Sequence, residues 1–308
     1  MFFRLLHKFN DNIELYYGER LLFRYVYYPR TAQHESPRPY FHPIRTLAGD
    51  TLTLYRPHDH RWQHGLSMAV PFLSGENFWG GPSFVLDENG GQYIQKANNG
   101  QQRHEDWESM TCDDHDGAHL VERLAWMTQS GEKWLDETRT ISVTRLDETA
   151  GHWTLKVGLR LTNVRGHLLE FGSPTTEGRP NAGYGGLHWR GARDLQGGTI
   201  TLADGRTGKT DHDLMGQAAP WLAYSGQHDG LDRASTLIFV DDPANPRFPT
   251  QWFTRTTDAA AVSFAFAFDQ RYPLPPGETL ALNYRLIVVN GVLSHEQIMQ
   301  VTQQINYG

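Results

Sequence analysis

Apolar and polar residues alternate with a period of two along most of this chain. Trp153-Thr154-Leu155-Lys156-Val157-Gly158-Leu159-Arg160-Leu161 is the clearest run, and such alternation puts every second side chain on one face of a half-buried strand. Leu120 to Met127 and Trp134 to Val143 flank Ser130-Gly131 and predict a long hairpin. Further strands are predicted over 13–17, 21–27, 51–55, 66–72, 199–202, 235–240, 251–254, 262–268 and 280–289, separated by glycine and proline clusters. One short C-terminal helix is predicted: Ser294 and Gln297 form a capping box, and Ile298, Met299, Val301 and Ile305 supply an apolar stripe. Many strands and few helices predict an all-β, antiparallel sandwich, read as one domain over 1–308 with a polar excursion over 87–117.

Charge and composition narrow the partners. The 308 residues carry a formal net charge of −7 with no basic block, which argues against nucleic acid and anionic membrane surfaces. No run of about 18 apolar residues occurs, and Met1 to Lys8 is too interrupted for a signal-peptide core, so a cytoplasmic protein is expected. The single cysteine, Cys112, excludes a disulfide framework, and Asp113 and Asp114 beside it disfavour a thiolate. Fifteen histidines, nine tryptophans and thirteen tyrosines stand out and point to a site.

Three clusters could do chemistry. Pro57-His58-Asp59-His60-Arg61-Trp62-Gln63-His64-Gly65 places three histidines between strands, with Asp59 able to orient a ring and His42 at a preceding junction. Imidazoles there serve as hydrogen-bonded groups pinning the loop, as acid and base in a sugar site or, through the spacing of His58, His60 and His64, as ligands of a divalent metal. Asn77-Phe78-Trp79-Gly80-Gly81 and Trp252 offer flat rings and polar edges suited to a pyranose. The glycine-rich segment from Thr175 to Arg190 brings Glu177 as a general base, Arg179 and Arg190 as anion partners, and His188. No GxGxxG strand-to-helix turn, no GxxxxGK[ST] and no GxSxG occurs, so neither nucleotide binding nor a serine hydrolase is supported.

An ordered set of motifs resembles a known family. Arg38-Pro39-Tyr40 with His42-Pro43, Asp59-His60 with His64-Gly65-Leu66, and Asn77-Phe78-Trp79-Gly80 are followed by Trp221, Tyr224-Ser225-Gly226, Asp242-Pro243, Asn245-Pro246-Arg247 and Trp252. Pro276-Gly277-Glu278 and Asn283-Tyr284-Arg285-Leu286 complete it. The set resembles the bacterial family long mislabelled as a methane oxygenase component and later reclassified as a domain of unknown function. The old label does not fit, since the membrane-embedded methane oxygenase needs spanning segments. The resemblance implies a β-supersandwich similar to galactose mutarotases, often encoded near sugar oxidoreductases. The chain lacks the Asn-His-x-Tyr-Phe-Asn segment of those enzymes, and Pro275-Pro276-Gly277 has no following histidine to complete a cupin half-motif.

The expectation is therefore a carbohydrate-active enzyme taking a small sugar or glycoside and using acid–base chemistry at a sugar carbon. His60 and His64 carry protons, Glu177 is the complementary base, and Asp59 holds an imidazole tautomer. His42, Asn77, Trp79, Arg179, His188, Arg190 and Trp252 grip the substrate. A non-catalytic sugar-binding protein and a metal-dependent lyase or hydrolase are the alternatives, and the sequence itself requires no cofactor.

Overall fold

Alternation of this kind builds two large sheets. The computed structural model describes residues 1–115 and 117–306. Among these, eight strands form one sheet in the order Phe3–Lys8, Asn12–Tyr17, Arg20–Val26, Tyr40–Ile44, Leu66–Ala69, Gly186–Arg190, Ala261–Phe264, Trp252–Arg255. Nine form the other, in the order Thr207–Gly208, Thr199–Leu202, Trp221–Gln227, Ala234–Asp241, Thr279–Asn290, His152–Asn163, Lys133–Asp147, Gly117–Met127, Gln101–Asp113. Paired strands are antiparallel throughout. The inner faces of both sheets share one apolar core, with Trp126, Trp153, Trp189 and Trp252 fully buried in it. The all-β antiparallel architecture with a short C-terminal helix is as expected. That helix spans His295–Asn306, and Ser294 and Gln297 exchange the two hydrogen bonds of the capping box, at 2.8 and 3.3 Å. The side chain of Ile305, assigned to the apolar stripe, lies outside the described residues.

Several boundaries move. The predicted strand 51–55 is reduced to isolated bridges from Thr51 to Arg45 and from Tyr55 to His64. The run 66–72 is split, Leu66–Ala69 staying in the eight-stranded sheet and Phe72–Leu73 joining a separate three-stranded sheet. Pro71, which cannot donate to a ladder, lies between them. The polar excursion is shorter than expected, because Gln101–Asp113 is the edge strand of the nine-stranded sheet. Its polarity reflects an edge with much of one face in solvent, which dilutes the apolar alternation. What leaves the sheets is the hairpin of Ser83–Val85 and Gln92–Ile94, a two-stranded sheet by itself.

Inside the sandwich the inward positions of two strands include charges. Glu122 accepts from Tyr25 at 2.5 Å and contacts His104 Nδ1 at 2.8 Å. Glu137 accepts from Trp126 Nε1 at 2.6 Å and from Arg139 at 2.7 Å, and Arg139 also donates to Tyr25 and Gln102. Every charge in this network is paired, as burial demands, and Tyr25 links one sheet to the other.

Candidate functional site

The strand Gly186–Arg190 positions two buried polar groups of the site. Gly186 has φ 85°, and a Cβ there would lie 2.1 Å from the carbonyl oxygen of Phe264, so the strand can start only with glycine. Beyond it Leu187 and Trp189 face the core, which turns His188 and Arg190 to the outer face. Register extends this across three strands. His188 stands opposite Ser263 and Ser263 opposite Phe253; Arg190 stands opposite Ala261 and Ala261 opposite Arg255. The small residues of the middle strand leave a hollow of about 440 Å³ between their larger neighbours, within the usual size range of small-molecule sites.

Loops complete the walls. Asp59, His60, Trp62 and Gln63 come from the histidine segment, and Trp79, Gly80 and Pro82 from the next loop. Arg38 ties these two loops together: its buried guanidinium donates to the carbonyls of Trp62 (2.7 Å), Trp79 (2.9 Å), Ser36 (3.0 Å) and Glu35 (3.1 Å). Asn77 pins the second loop by accepting from the backbone of Trp79 and Gly80, both at 2.9 Å. A Cβ on Gly81 would lie 2.6 Å from the Trp62 ring, so the glycine is what lets the loop lie flat on the indole. Aromatic rings line one side. Trp79 lies 4.6 Å from both Tyr184 and His188, and Tyr184 meets Phe253 edge-on at 5.4 Å. Tyr93, on the hairpin, shares a 2.8 Å hydrogen bond with Tyr184 and accepts one from Arg179.

The electrostatics separate the histidines by role. Asp59 contacts His60 Nδ1 at 3.0 Å and accepts from Arg193 at 3.3 Å. Burial would raise its carboxyl, but the hydrogen bond to His60 and one from its own backbone, with the charges of His60 and Arg190, outweigh this and hold it at about 2. Asp59 is thus a carboxylate that fixes the half-exposed His60 ring by Nδ1 and leaves Nε2 for proton exchange. His188 is buried, its Nδ1 2.9 Å from Ser263 Oγ. Burial drives its pKa well down, with Arg190, Arg38 and His60 acting in the same direction, so it is a neutral imidazole at neutral pH. Its Nε2 has no protein partner, and neither have Arg190 Nε and Gln63 Oε1. These three atoms are buried and unpaired in residues that line the hollow.

Other predicted residues lie elsewhere. Glu177 lines a neighbouring cavity of about 220 Å³, separated from the hollow by Trp79, Pro82 and Tyr184, which border both. It is held there by Arg271 at 3.0–3.2 Å and by Thr176 at 3.0 Å, so it does not meet the histidines. His64 is fully buried and spends Nε2 on Glu35 (3.3 Å) and the carbonyl of Arg61 (3.0 Å). His42 contacts Thr53 at 3.0 Å and stacks on Tyr55, outside the hollow. Trp252 is wholly in the core with Nε1 donated to Ala219, and Asn77 lines the smaller cavity as well as pinning its loop. His58 accepts from Arg193, His60 faces Asp59 and His64 faces Glu35, so the three rings have separate partners. Among the described residues no three His, Cys, Asp or Glu side chains converge on a point that would hold a metal. Phe253, Arg255, Tyr93 and Arg38 join the site without belonging to any of the three sequence clusters; the alternation Trp252-Phe253-Thr254-Arg255, with Trp252 inward, is the signal that places the first two.

The architecture and its hollow define an all-β sandwich protein with an aromatic, histidine-bearing cleft on one outer face. The chain belongs to a family of unknown function, DUF6807, which it matches over residues 12–303. No curated protein matches it. Among solved structures it is similar to an alpha-galactosidase from Lactobacillus brevis, at 10% identity and TM-score 0.41, over 94% of this chain and 39% of that one. It is also similar to a GalM/aldose epimerase homologue from C. elegans, at 8% identity and TM-score 0.31, over 95% and 99% of the two chains. No helix among the described residues is long and apolar enough to cross a membrane.

Proposed function

We propose that the hollow binds a sugar or glycoside and carries out acid–base chemistry at a sugar carbon: epimerisation, elimination or cleavage of an oxidised glycoside. The observation that carries this reading is that His60, oriented by a carboxylate, and neutral, under-bonded His188 border the same hollow, beside aromatic rings. An imidazole suits the task of accepting and returning a proton near neutrality, and Asp59 stabilises the imidazolium that forms on His60. His188, kept neutral by burial, supplies a hydrogen bond to a substrate oxygen without competing for the proton. Arg190 stands where it can stabilise negative charge developing on that oxygen. Trp79, Tyr184 and Phe253 suit the C–H faces of a pyranose. Glu177, locked to Arg271 in the adjoining cavity, has no part in this scheme.

Incubation with free sugars, 3-keto sugars and their glycosides in deuterated water, followed by NMR, tests the proposal. A substrate gains deuterium at one carbon or yields a product. His60→Gln slows that step by about 10²–10⁴-fold with no change in melting temperature, because the ring is half exposed. Ligands that bind without exchange or turnover would instead make the chain a sugar-binding protein and overturn the catalytic reading.

A further inference from the structure

The floor of the hollow carries more positive charge than its surroundings explain. Three guanidinium groups line it, Arg179, Arg190 and Arg255, against two carboxylates, Asp59 and Asp258, in a chain whose net charge is −7. Their placement is regular. Arg190 and Arg255 occupy one rung of the sheet with Ala261 between them, so their Cα atoms stand about 10 Å apart, two strand spacings. The alanine methyl leaves the space between the two side chains open.

Neither guanidinium is fully satisfied by the protein. Arg190 is buried, its nearest carboxylate is Asp59 at 4.0 Å, and its Nε has no partner. Asp59 is itself shared with His60 and Arg193. Arg255 reaches Asp211 only at 3.7 Å, while Asp211 Oδ1 accepts from the backbone of Thr256 and Thr257. A buried guanidinium with a distant, divided counter-charge is costly unless an anion completes it.

We propose that the hollow is a binding site for acidic sugars, the substrate's carboxylate lying over Ala261 between Arg190 and Arg255. The assignment rests on the sugar-binding reading above and narrows it to uronic or aldonic acids and their glycosides. A carboxylate fits better than a phosphate, since an excess of one positive charge matches a monoanion and the flanking Asp59 and Asp258 would repel a dianion.

Calorimetric titration of the intact chain with methyl glucuronide and methyl galacturonide, against methyl glucoside, methyl galactoside and glucose 6-phosphate, decides the matter. At least one uronide binds tenfold or more tightly than its neutral counterpart, and raising the salt concentration erodes that advantage. Arg190→Gln abolishes the preference, read as the ratio of uronide to neutral-glycoside affinity for the same variant. Arg255→Gln, at a more exposed position, weakens the preference in the same direction and serves should the buried variant fail to fold. Equal binding of neutral and acidic glycosides overturns the carboxylate site and leaves the sugar reading intact. Tighter binding of the 6-phosphate overturns the choice of anion. Binding of none of the five removes both readings together.

Discussion

At the scale of single residues, Arg38 does most to hold the loops of the site. Arg38 is the common donor to four carbonyls from three stretches of chain, and its loss leaves them buried without a partner. Arg38→Met is therefore expected to destabilise the fold by about 3 kcal/mol or more, read from the urea midpoint, and to weaken sugar binding because Trp62 and Trp79 lose their anchor. His42 makes a pH prediction. Burial, reinforced by Arg24 and Arg45, lowers its pKa to about 4, so the unfolded chain takes up this proton first as pH falls below about 6.5. Its contribution to stability is full above pH 6.5 and declines toward pH 4. His188 adds to that slope, whereas Asp241, held at about 6 by burial, works against it below pH 6. Subtracting the stability of His42→Asn from that of the parent isolates the histidine: the difference shrinks by about 2–4 kcal/mol between pH 7.5 and 4. A difference that stays constant with pH would show that the ring titrates alike in the folded and unfolded chain.

At the scale of elements, the strand Gly186–Arg190 and the hairpin of Ser83–Val85 and Gln92–Ile94 have opposite characters. The strand is buried along its length and paired on both sides. The hairpin belongs to neither large sheet and reaches the site through Tyr93, bonded to Tyr184 and Arg179. Tyr93→Phe removes both bonds from an exposed element, so it is expected to raise KM several-fold with no change in melting temperature and to speed proteolysis between residues 86 and 91. The same contrast explains what the sequence discloses. Period-two alternation names most strands, and the capping box locates the helix, because both depend on neighbours in the chain. Gly186–Arg190 is missing from the predicted strands because glycines crowd in front of it, although Leu187-His188-Trp189-Arg190 alternates as a strand should. His60, Asp59, Trp79, Arg179, His188 and Arg190 are recognisable as polar or aromatic groups near loops and line one hollow. The placement of Glu177 is not recoverable, since its partner Arg271 lies 94 residues further on, and local pattern carries nothing about so distant a pairing. The role of Arg38 is hidden for the same reason.

At the scale of the whole molecule, the sandwich is a platform with the hollow on one outer face. Binary patterning alone would make the inward positions of 117–127 and 133–147 apolar, yet Glu122, Glu137 and Arg139 occupy them and are satisfied by Tyr25, His104, Trp126 and Gln102. A network that bridges both sheets resists sliding of one over the other, since any shift would separate buried charges. The rung of Arg190, Ala261 and Arg255 has a further meaning when set against the loops that roof it. Spacing along the rung is dictated by backbone ladders, while the opening above is governed by the hairpin and the two loops gathered by Arg38. What the cleft recognises and how readily a visitor gets in are thus written in different stretches of chain, so evolution or an engineer can retune admission while the ruler beneath stays as it is.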